Sequence, residues 1–170
     1  MTDRTLKTFL MALIGVFALV AVGDNLVNWK AAHGAVSYVA SQADHNIYPN
    51  AMVPPLGPDV AWALLTVICA FEITTGIVCL MAAVRLYARR VKPVEFQEAL
   101  PFARFAASMF VFTWFGLFWI GGVGLFVMWQ TPTGAESGAS AFRIAAIGFL
   151  TLIYLGQRHD EIPATQPIET

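Results

Sequence analysis

Four long apolar segments limit what this chain can fold into. They run from about Leu6 to Trp29, Val60 to Tyr87, Phe102 to Trp129 and Ala139 to Gly156. A helix that crosses a bilayer needs about 20 mostly apolar residues, and each segment falls near or above that length. Lipid offers no hydrogen-bond partners to the backbone, so such segments cross as helices. The sequence therefore predicts an all-α, four-helix transmembrane bundle that forms a single domain over residues 1–157.

Composition supports a membrane protein and excludes several other classes. Of 170 residues, 58% are hydrophobic and 12% are charged, whereas soluble domains average roughly 45–50% and about 25%. A net charge of −1 gives no sign of a polyanionic partner, so we expect the lipid bilayer and no nucleic acid as partner. Both cysteines, Cys69 and Cys79, lie in the second apolar segment, which excludes a secreted disulfide framework.

The distribution of basic residues predicts the orientation. With the N-terminus inside, eight Lys and Arg residues fall on the cytoplasmic side and only Lys30 and Arg143 on the outer side. This bias predicts that both termini are cytoplasmic. Trp29, Trp62 and Trp129 then mark the outer ends of three helices, as an interfacial aromatic belt does. The first segment is too long for a signal-peptide core, so we expect a retained helix.

Residues 30–58 form the only long loop between the predicted spans, and we expect an ordered outer loop. Residues 31–40 suit a short amphipathic helix on the membrane surface, whereas four prolines between 49 and 58 exclude a continuous helix. Whether this loop has a function or only caps the bundle stays open. The polar residues 158–170 predict a disordered cytoplasmic tail.

Glu72 is the most deeply placed charged residue of the predicted spans. It lies ten residues after Trp62, about 15 Å along the helix. Spacings of three and four residues place it in a seam of small residues, which predicts that it faces another helix. Trp119 lies at the same depth when counted from Trp129, so we expect its indole N–H to be a partner of Glu72. The seam contains Leu65, Cys69, Gly76, Cys79 and Ala83.

A second polar group is predicted near the outer interface. Asp24 and Arg143 lie at similar depths, so we expect them to form a salt bridge, with Asn25 and Asn28 completing a polar cluster. Two interpretations stay open. Glu72 can be a proton or cation site with this cluster as its entrance, or these side chains can simply hold the helices in register.

Other kinds of chemistry find little support. The spans contain no histidine to ligate haem, and Cys69 and Cys79 are about 15 Å apart along one helix, too far to bridge. Nucleophile, phosphate-loop and dinucleotide motifs are absent from the sequence. His33 and the adjacent Asp44 and His45 are metal-ligand residue types in one loop, but adjacent Asp and His residues are common in ordinary loops. We therefore expect no catalytic activity, no cofactor and no metal site.

The glycines at 121, 122 and 124 interrupt the third apolar segment. Such glycines permit close helix packing or a kink. They also suit an unwound segment that lines a cavity. The sequence favours packing and leaves the second interpretation open.

Several local patterns together resemble a known family. The first helix ends in Asp24-Asn25-Leu26-Val27-Asn28, and the second contains Phe71-Glu72. The third carries Gly121-Gly122 before Phe126-Val127-Met128-Trp129-Gln130, and the fourth opens with Ala141-Phe142-Arg143. Over nearly its whole length, the chain resembles a bacterial family of predicted small integral membrane proteins of unknown function. The resemblance implies a multi-pass protein of the bacterial inner membrane and no established activity.

Two functional hypotheses follow. The first is a membrane protein without catalytic activity, acting as an accessory subunit of a larger membrane complex or as a bundle that binds a small ligand. The second is a proton- or cation-coupled transporter that works as a homo-oligomer, with Glu72 as the coupling carboxylate.

Overall fold

The computed structural model describes residues 2–157, so the predicted tail at 158–170 lies outside the described residues. Five α-helices and two other helical segments make up this part of the chain, which contains no strand. They are α1 (Asp3–Val27), α2 (Trp29–Ala40), α3 (Pro58–Arg89), α4 (Pro93–Val111), a π-helix (Phe112–Leu125), a 3-10 turn (Met128–Gln130) and α5 (Pro132–Gly156).

Within residues 2–157, four continuous helical segments are long and apolar enough to cross a membrane. They are α1, α3, α4 together with the π-helix (Pro93–Leu125), and α5. The prediction of an all-α fold with four apolar spans is confirmed. In the bundle, α1 packs mainly along α3, and α4 lies between α3 and α5. The core at these contacts consists largely of small residues, including Ala18, Ala82, Ala103, Ala106 and Ala107.

Prolines begin three of the helices. Pro58, Pro93 and Pro132 each occupy the first turn, where a missing backbone N–H costs nothing. The third span therefore begins at Pro93 instead of about Phe102, and the fourth at Pro132 instead of about Ala139. Both helices therefore begin before the apolar residues that identified the spans.

Two ends of the bundle differ in chemistry. The tryptophan end carries Trp29, Trp62 and Trp129. The basic end carries Arg4, Lys7, Arg85 and Arg89. Because α1 and α3 run antiparallel, the start of α1 and the end of α3 both lie at the basic end.

Two glycines bring α1 and α3 close together. A Cβ atom on Gly76 would lie 2.6 Å from Leu19 Cδ2 and 3.2 Å from the carbonyl oxygen of Gly15. A Cβ atom on Gly15 would lie 3.1 Å from Cys79 Cβ. The absence of side chains at these two positions thus permits the close backbone approach that small residues give to membrane helices.

The π-helix is the feature of the fold that sequence periodicity did not predict. Its backbone bonds follow an i→i+5 pattern, which Phe126 N continues by donating to Gly121 O at 3.0 Å. Phe115 and Trp119 stack four residues apart, with ring centroids separated by 5.5 Å. Val127 then adopts a left-handed conformation with φ of 48°, unusual for a β-branched residue, and turns the chain toward α5.

A buried ion pair closes the basic end. Lys7 is only 1% exposed, and its Nζ atom lies 2.9 Å from Asp3 Oδ2. The same ammonium group donates to the carbonyl oxygen of Gln157 at 2.6 Å, and the Tyr154 hydroxyl donates to Asp3 Oδ1 at 2.6 Å. These contacts join the start of α1 to the end of α5. The i,i+4 spacing of Asp3 and Lys7 is a sequence signal for this pair.

The predicted orientation can be tested by labelling single cysteines. Asn50→Cys lies at the tryptophan end and Val91→Cys in the loop at the basic end, and both positions are exposed. In intact cells, an impermeant maleimide should label only Asn50→Cys, whereas Val91→Cys should react only after permeabilisation. The native cysteines are buried, so the unmodified chain provides a low background. The reverse pattern would show that the orientation is wrong.

The close contact of α1 with α3 predicts a strong effect of side-chain size at Gly76. Gly76→Val should lower the free energy of unfolding by about 1–3 kcal/mol, because its side chain overlaps α1. Thermal unfolding in detergent provides the measurement. The matched control is Gly23→Val on α1, where an added Cβ atom meets nothing within 4 Å. Equal losses in the two variants would mean that helix propensity, not packing, sets the effect.

Candidate functional site

An apolar cavity lies near the tryptophan end between α2, α3 and the π-helix. Its volume is about 390 Å³. Ser137 contributes the only polar side chain among its lining residues, and Gly121 and Gly122 contribute backbone. The remaining wall is made by Ala35, Val36, Val39, Ala40, Leu64, Val67, Ile68, Gly116, Leu117, Phe118, Ile120, Leu125, Phe126 and Met128.

The structure of the glycine segment combines parts of the two interpretations. Gly121 and Gly122 line a cavity, as the second interpretation proposed, but the segment stays helical instead of unwinding. A Cβ atom at Gly121 would meet only Gly116 O, at 3.7 Å. Because the glycines lack side chains, the π-helix leaves space on the side that faces α2.

Aromatic stacking fixes the start of α2, one wall of the cavity. The His33 ring stacks on Trp62 with centroids 3.6 Å apart, and Trp29 stacks on the same indole at 5.6 Å. His33 Nε2 lies 3.1 Å from the carbonyl oxygen of Pro58, which accepts a hydrogen bond from the tautomer that carries its proton on Nε2. At the other end of α2, Leu56 N donates to Ala40 O at 2.8 Å. Both ends of α2 are therefore attached to the chain around α3.

The loop after α2 is fastened to the 3-10 turn by one side chain. Gln130 Oε1 accepts hydrogen bonds from the backbone N–H groups of Ile47 and Tyr48, at 2.9 and 2.6 Å. Gln130 Nε2 donates to Tyr48 O at 3.2 Å, and the Tyr48 ring meets Trp129 edge to face. Partial burial, together with the carboxylate of Asp44, raises the pKa of Tyr38 on α2. No local sequence signal predicts that Gln130 organises this loop.

Glu72 lies inside the bundle and has a different partner from the one expected. Its side chain is 2% exposed, and Asn25 Nδ2 donates to Glu72 Oε2 at 2.9 Å. Trp119 instead stacks on Phe115 and contacts Phe142, with centroids 5.6 Å apart. The expected pairing of Trp119 with Glu72 is therefore wrong. The π-helix turns Trp119 away, because i→i+5 bonding rotates residues relative to the α-helical pattern.

A second buried polar contact lies one turn from Glu72. The hydroxyl groups of Thr75 on α3 and Thr113 on the π-helix are 2.9 Å apart, and both residues are fully buried. Thr113 also donates to Met109 O at 3.0 Å, so its single proton is used there. Thr75 is therefore the donor between the two hydroxyl groups.

The expected polar cluster at the outer interface does not form. Asp24 and Arg143 are both exposed, and the described residues contain no salt bridge between them. The reason is the packing of the bundle, in which α1 lies along α3 whereas α5 lies along α4 and the π-helix. Asn28 also points elsewhere, since its Nδ2 atom donates to the carbonyl oxygen of Asp24 at 3.0 Å. Among the described residues of the predicted set, only Asn25 bonds to the side chain of another member, Glu72.

Arg143 instead lies beside aromatic residues. It lines an open groove of about 410 Å³ between α5 and the π-helix. Trp119, Phe142 and Trp129 line the same groove. Within residues 2–157, no three histidine, cysteine or acidic side chains come together as a possible metal site.

Comparisons with known proteins identify the family and nothing more specific. No match was found among curated proteins or among solved structures. The sequence matches the family described as "Predicted small integral membrane protein (DUF2165)" over residues 3–158. This range includes all four apolar spans, the apolar cavity and the Asn25–Glu72 pair. The chain therefore belongs to this family of predicted small, multi-pass integral membrane proteins.

Proposed function

We propose that this protein binds a small apolar ligand in the cavity between α2, α3 and the π-helix, and that it acts without catalysing a reaction. It does so alone or as an accessory subunit of a larger complex in a bacterial inner membrane. The observation that carries the proposal is the cavity itself, with its volume of about 390 Å³ and its apolar walls.

The size and chemistry of the cavity favour a hydrophobic ligand. Small-molecule sites have volumes of roughly 300–1,000 Å³ and mostly apolar walls with a few polar groups. Here Ser137 offers a single hydroxyl group, so a ligand with a long apolar part and one polar end fits the lining. A single hydrocarbon chain, such as that of a fatty acid, has this chemistry and is supplied by a membrane.

The contacts that hold α2 in place indicate that the cavity is a defined site and not a transient gap between helices. The Trp29, Trp62 and His33 rings hold one end of this wall, and the Leu56–Ala40 hydrogen bond holds the other. The Gln130 contacts fix the following loop next to Met128, which itself lines the cavity. A wall held at several points keeps the cavity open without a ligand, which lowers the entropic cost of binding.

Filling the cavity should abolish binding. The probe is a long-chain fatty acid that carries a photoreactive diazirine, added to the full chain in detergent. On illumination we expect cross-links to lining residues such as Ile68 and Phe118, mapped by peptide mass spectrometry. Ala35→Phe should remove most of these cross-links, because its ring occupies the space between α2 and the π-helix.

The matched control is Ala31→Phe, one turn earlier on α2, where the residue is exposed and does not line the cavity. It should cross-link as the unmodified chain does. Equal labelling of Ala35→Phe and Ala31→Phe would show that the probe reacts from the surrounding micelle, and the proposal would fail.

A coupled transporter is the second candidate, and the burial of Glu72 favours it. An ionisable side chain inside a membrane bundle is costly, so such residues often mark proton or ion pathways. Glu72 has one hydrogen bond, from Asn25, and the Thr75–Thr113 pair lies one turn away along α3. With one such carboxylate in four helices, this function needs several copies of the chain to combine.

Infrared spectroscopy of Glu72 separates these candidates. In nanodiscs, a coupling carboxyl should change its C=O stretch between about pH 6 and pH 8. That change should be absent in Glu72→Gln. A carboxyl band that stays constant across this range would contradict the transport hypothesis.

Stability measurements on Glu72 variants test whether its hydrogen bond with Asn25 holds α1 against α3. Glu72→Gln keeps an oxygen acceptor for Asn25, so its thermal midpoint should stay close to that of the unmodified chain. Glu72→Leu should cost about 1–3 kcal/mol, because it leaves the Asn25 amide without its partner. Equal stability of Glu72→Leu and the unmodified chain would show that the hydrogen bond does not hold α1 against α3.

A further inference from the structure

We infer that Arg143 and the aromatic groove beside it bind the phosphate group of an anionic membrane phospholipid. The groove lies between α5 and the π-helix and is lined by Arg143, Trp119, Trp129 and Phe142. It is separate from the cavity of the proposed function, and the inference does not depend on that function.

The first argument is that Arg143 has no partner among residues 2–157. Its guanidinium group makes no hydrogen bond, ion pair or ring contact there. Two other arginines of the spans do have partners, since Arg104 donates to Leu155 O at 3.2 Å and Arg85 lies 4.2 Å from the centroid of the Phe102 ring. Glu136 lies seven residues earlier on α5, about 10 Å along the axis, beyond the reach of a normal helical pair.

The second argument is the position of Arg143 along α5. The helix begins with polar residues, Thr133, Glu136, Ser137 and Ser140, and no charged residue follows Arg143 before α5 ends at Gly156. Arg143 therefore lies just inside the change from polar to apolar sequence. In a span, this level is close to the phosphate groups of one leaflet. An unpaired guanidinium there is costly unless an anion or water reaches it.

The third argument is the shape and composition of the groove. The α5 side of the groove is lined by small residues, Ala135, Gly138 and Ala139. The opposite side is formed by Trp119 and Val123 of the π-helix. Tryptophan is typical of the headgroup level of membranes. Deeper in the bundle, the aromatic surface continues from Trp119 through Phe115 to Phe149. The ring centroids of Phe115 and Phe149 are 5.7 Å apart. An acyl chain on this surface would extend directly below a phosphate held by Arg143.

The chemistry of the two groups explains the choice of ligand. A guanidinium donates two parallel hydrogen bonds to two oxygens of one phosphate, and it keeps its charge at a membrane interface. A lipid with a net negative charge should bind better than a zwitterionic lipid, because no ammonium group competes for the phosphate. The apolar surface below the guanidinium favours a lipid over free phosphate.

Native mass spectrometry of the full chain in detergent tests this site. The probes are phosphatidylglycerol and phosphatidylcholine with the same acyl chains. We expect preferential retention of phosphatidylglycerol, and Arg143→Gln should weaken its retention about tenfold. The retention of phosphatidylglycerol by Arg143→Lys should lie between that of the unmodified chain and that of Arg143→Gln, because lysine keeps the charge but not the paired donors.

The control is Lys30→Gln, which removes an exposed positive charge at the same end of the bundle but outside the groove. It should retain phosphatidylglycerol as the unmodified chain does. An equal loss in Lys30→Gln would reduce the effect to overall charge and overturn the inference. Unchanged retention in Arg143→Gln would also overturn it.

Two further measurements complete the test. If Arg143→Gln lowers the thermal midpoint without lipid, the lipid-retention test uses Ala139→Trp instead. This variant fills the groove and leaves the guanidinium in place. Loss of phosphatidylglycerol in this variant supports the site, and full retention overturns it. Displacement of phosphatidylglycerol by inorganic phosphate alone would assign the site to free phosphate and overturn the lipid assignment.

Discussion

The antiparallel contact between α1 and α3 determines much of the structure. It is visible at three levels of the bundle. Trp29 stacks on Trp62 at one end, Asn25 donates to Glu72 below it, and the glycine contact follows toward the basic end. Aromatic stacking, a polar bond and close packing thus specify the same register. Because α2 follows α1 directly and is held by Trp62, this register also places one wall of the apolar cavity.

The spans and the burial of the α3 seam follow from features that sequence carries locally. Length and apolar content identified the four helices, and spacings of three and four residues placed Glu72 with Cys69 and Cys79 on the buried face. Pairings between helices were less predictable. Depth alone suggested Asp24 with Arg143 and Glu72 with Trp119, but depth does not say which helices are neighbours. The first pairing failed because α1 packs mainly along α3, whereas α5 packs mainly along α4 and the π-helix.

The π-helix explains the second failure and connects the two candidate sites. An α-helical count assigns Trp119 to the depth of Glu72, but i→i+5 bonding changes the face on which each residue lies. In the structure, Gly121 and Gly122 line the cavity whereas Trp119 and Val123 line the groove of Arg143. The same helical segment therefore forms a wall of both. π-helical segments often occur at functional sites, in agreement with this double role.

The charged side chains of the bundle differ in how far neighbouring groups of the chain compensate their charge. Lys7 is buried with a carboxylate and a carbonyl oxygen, so its charge is compensated within the chain. Glu72 is equally buried, but its single partner is a neutral amide, which does not compensate a charge. Arg143 is exposed toward the surroundings of the bundle and has no partner in the described chain. The chain therefore compensates the charge of Lys7, whereas Glu72 and Arg143 have no charged partner among residues 2–157. The transport alternative therefore depends on Glu72, and the proposed lipid site depends on Arg143.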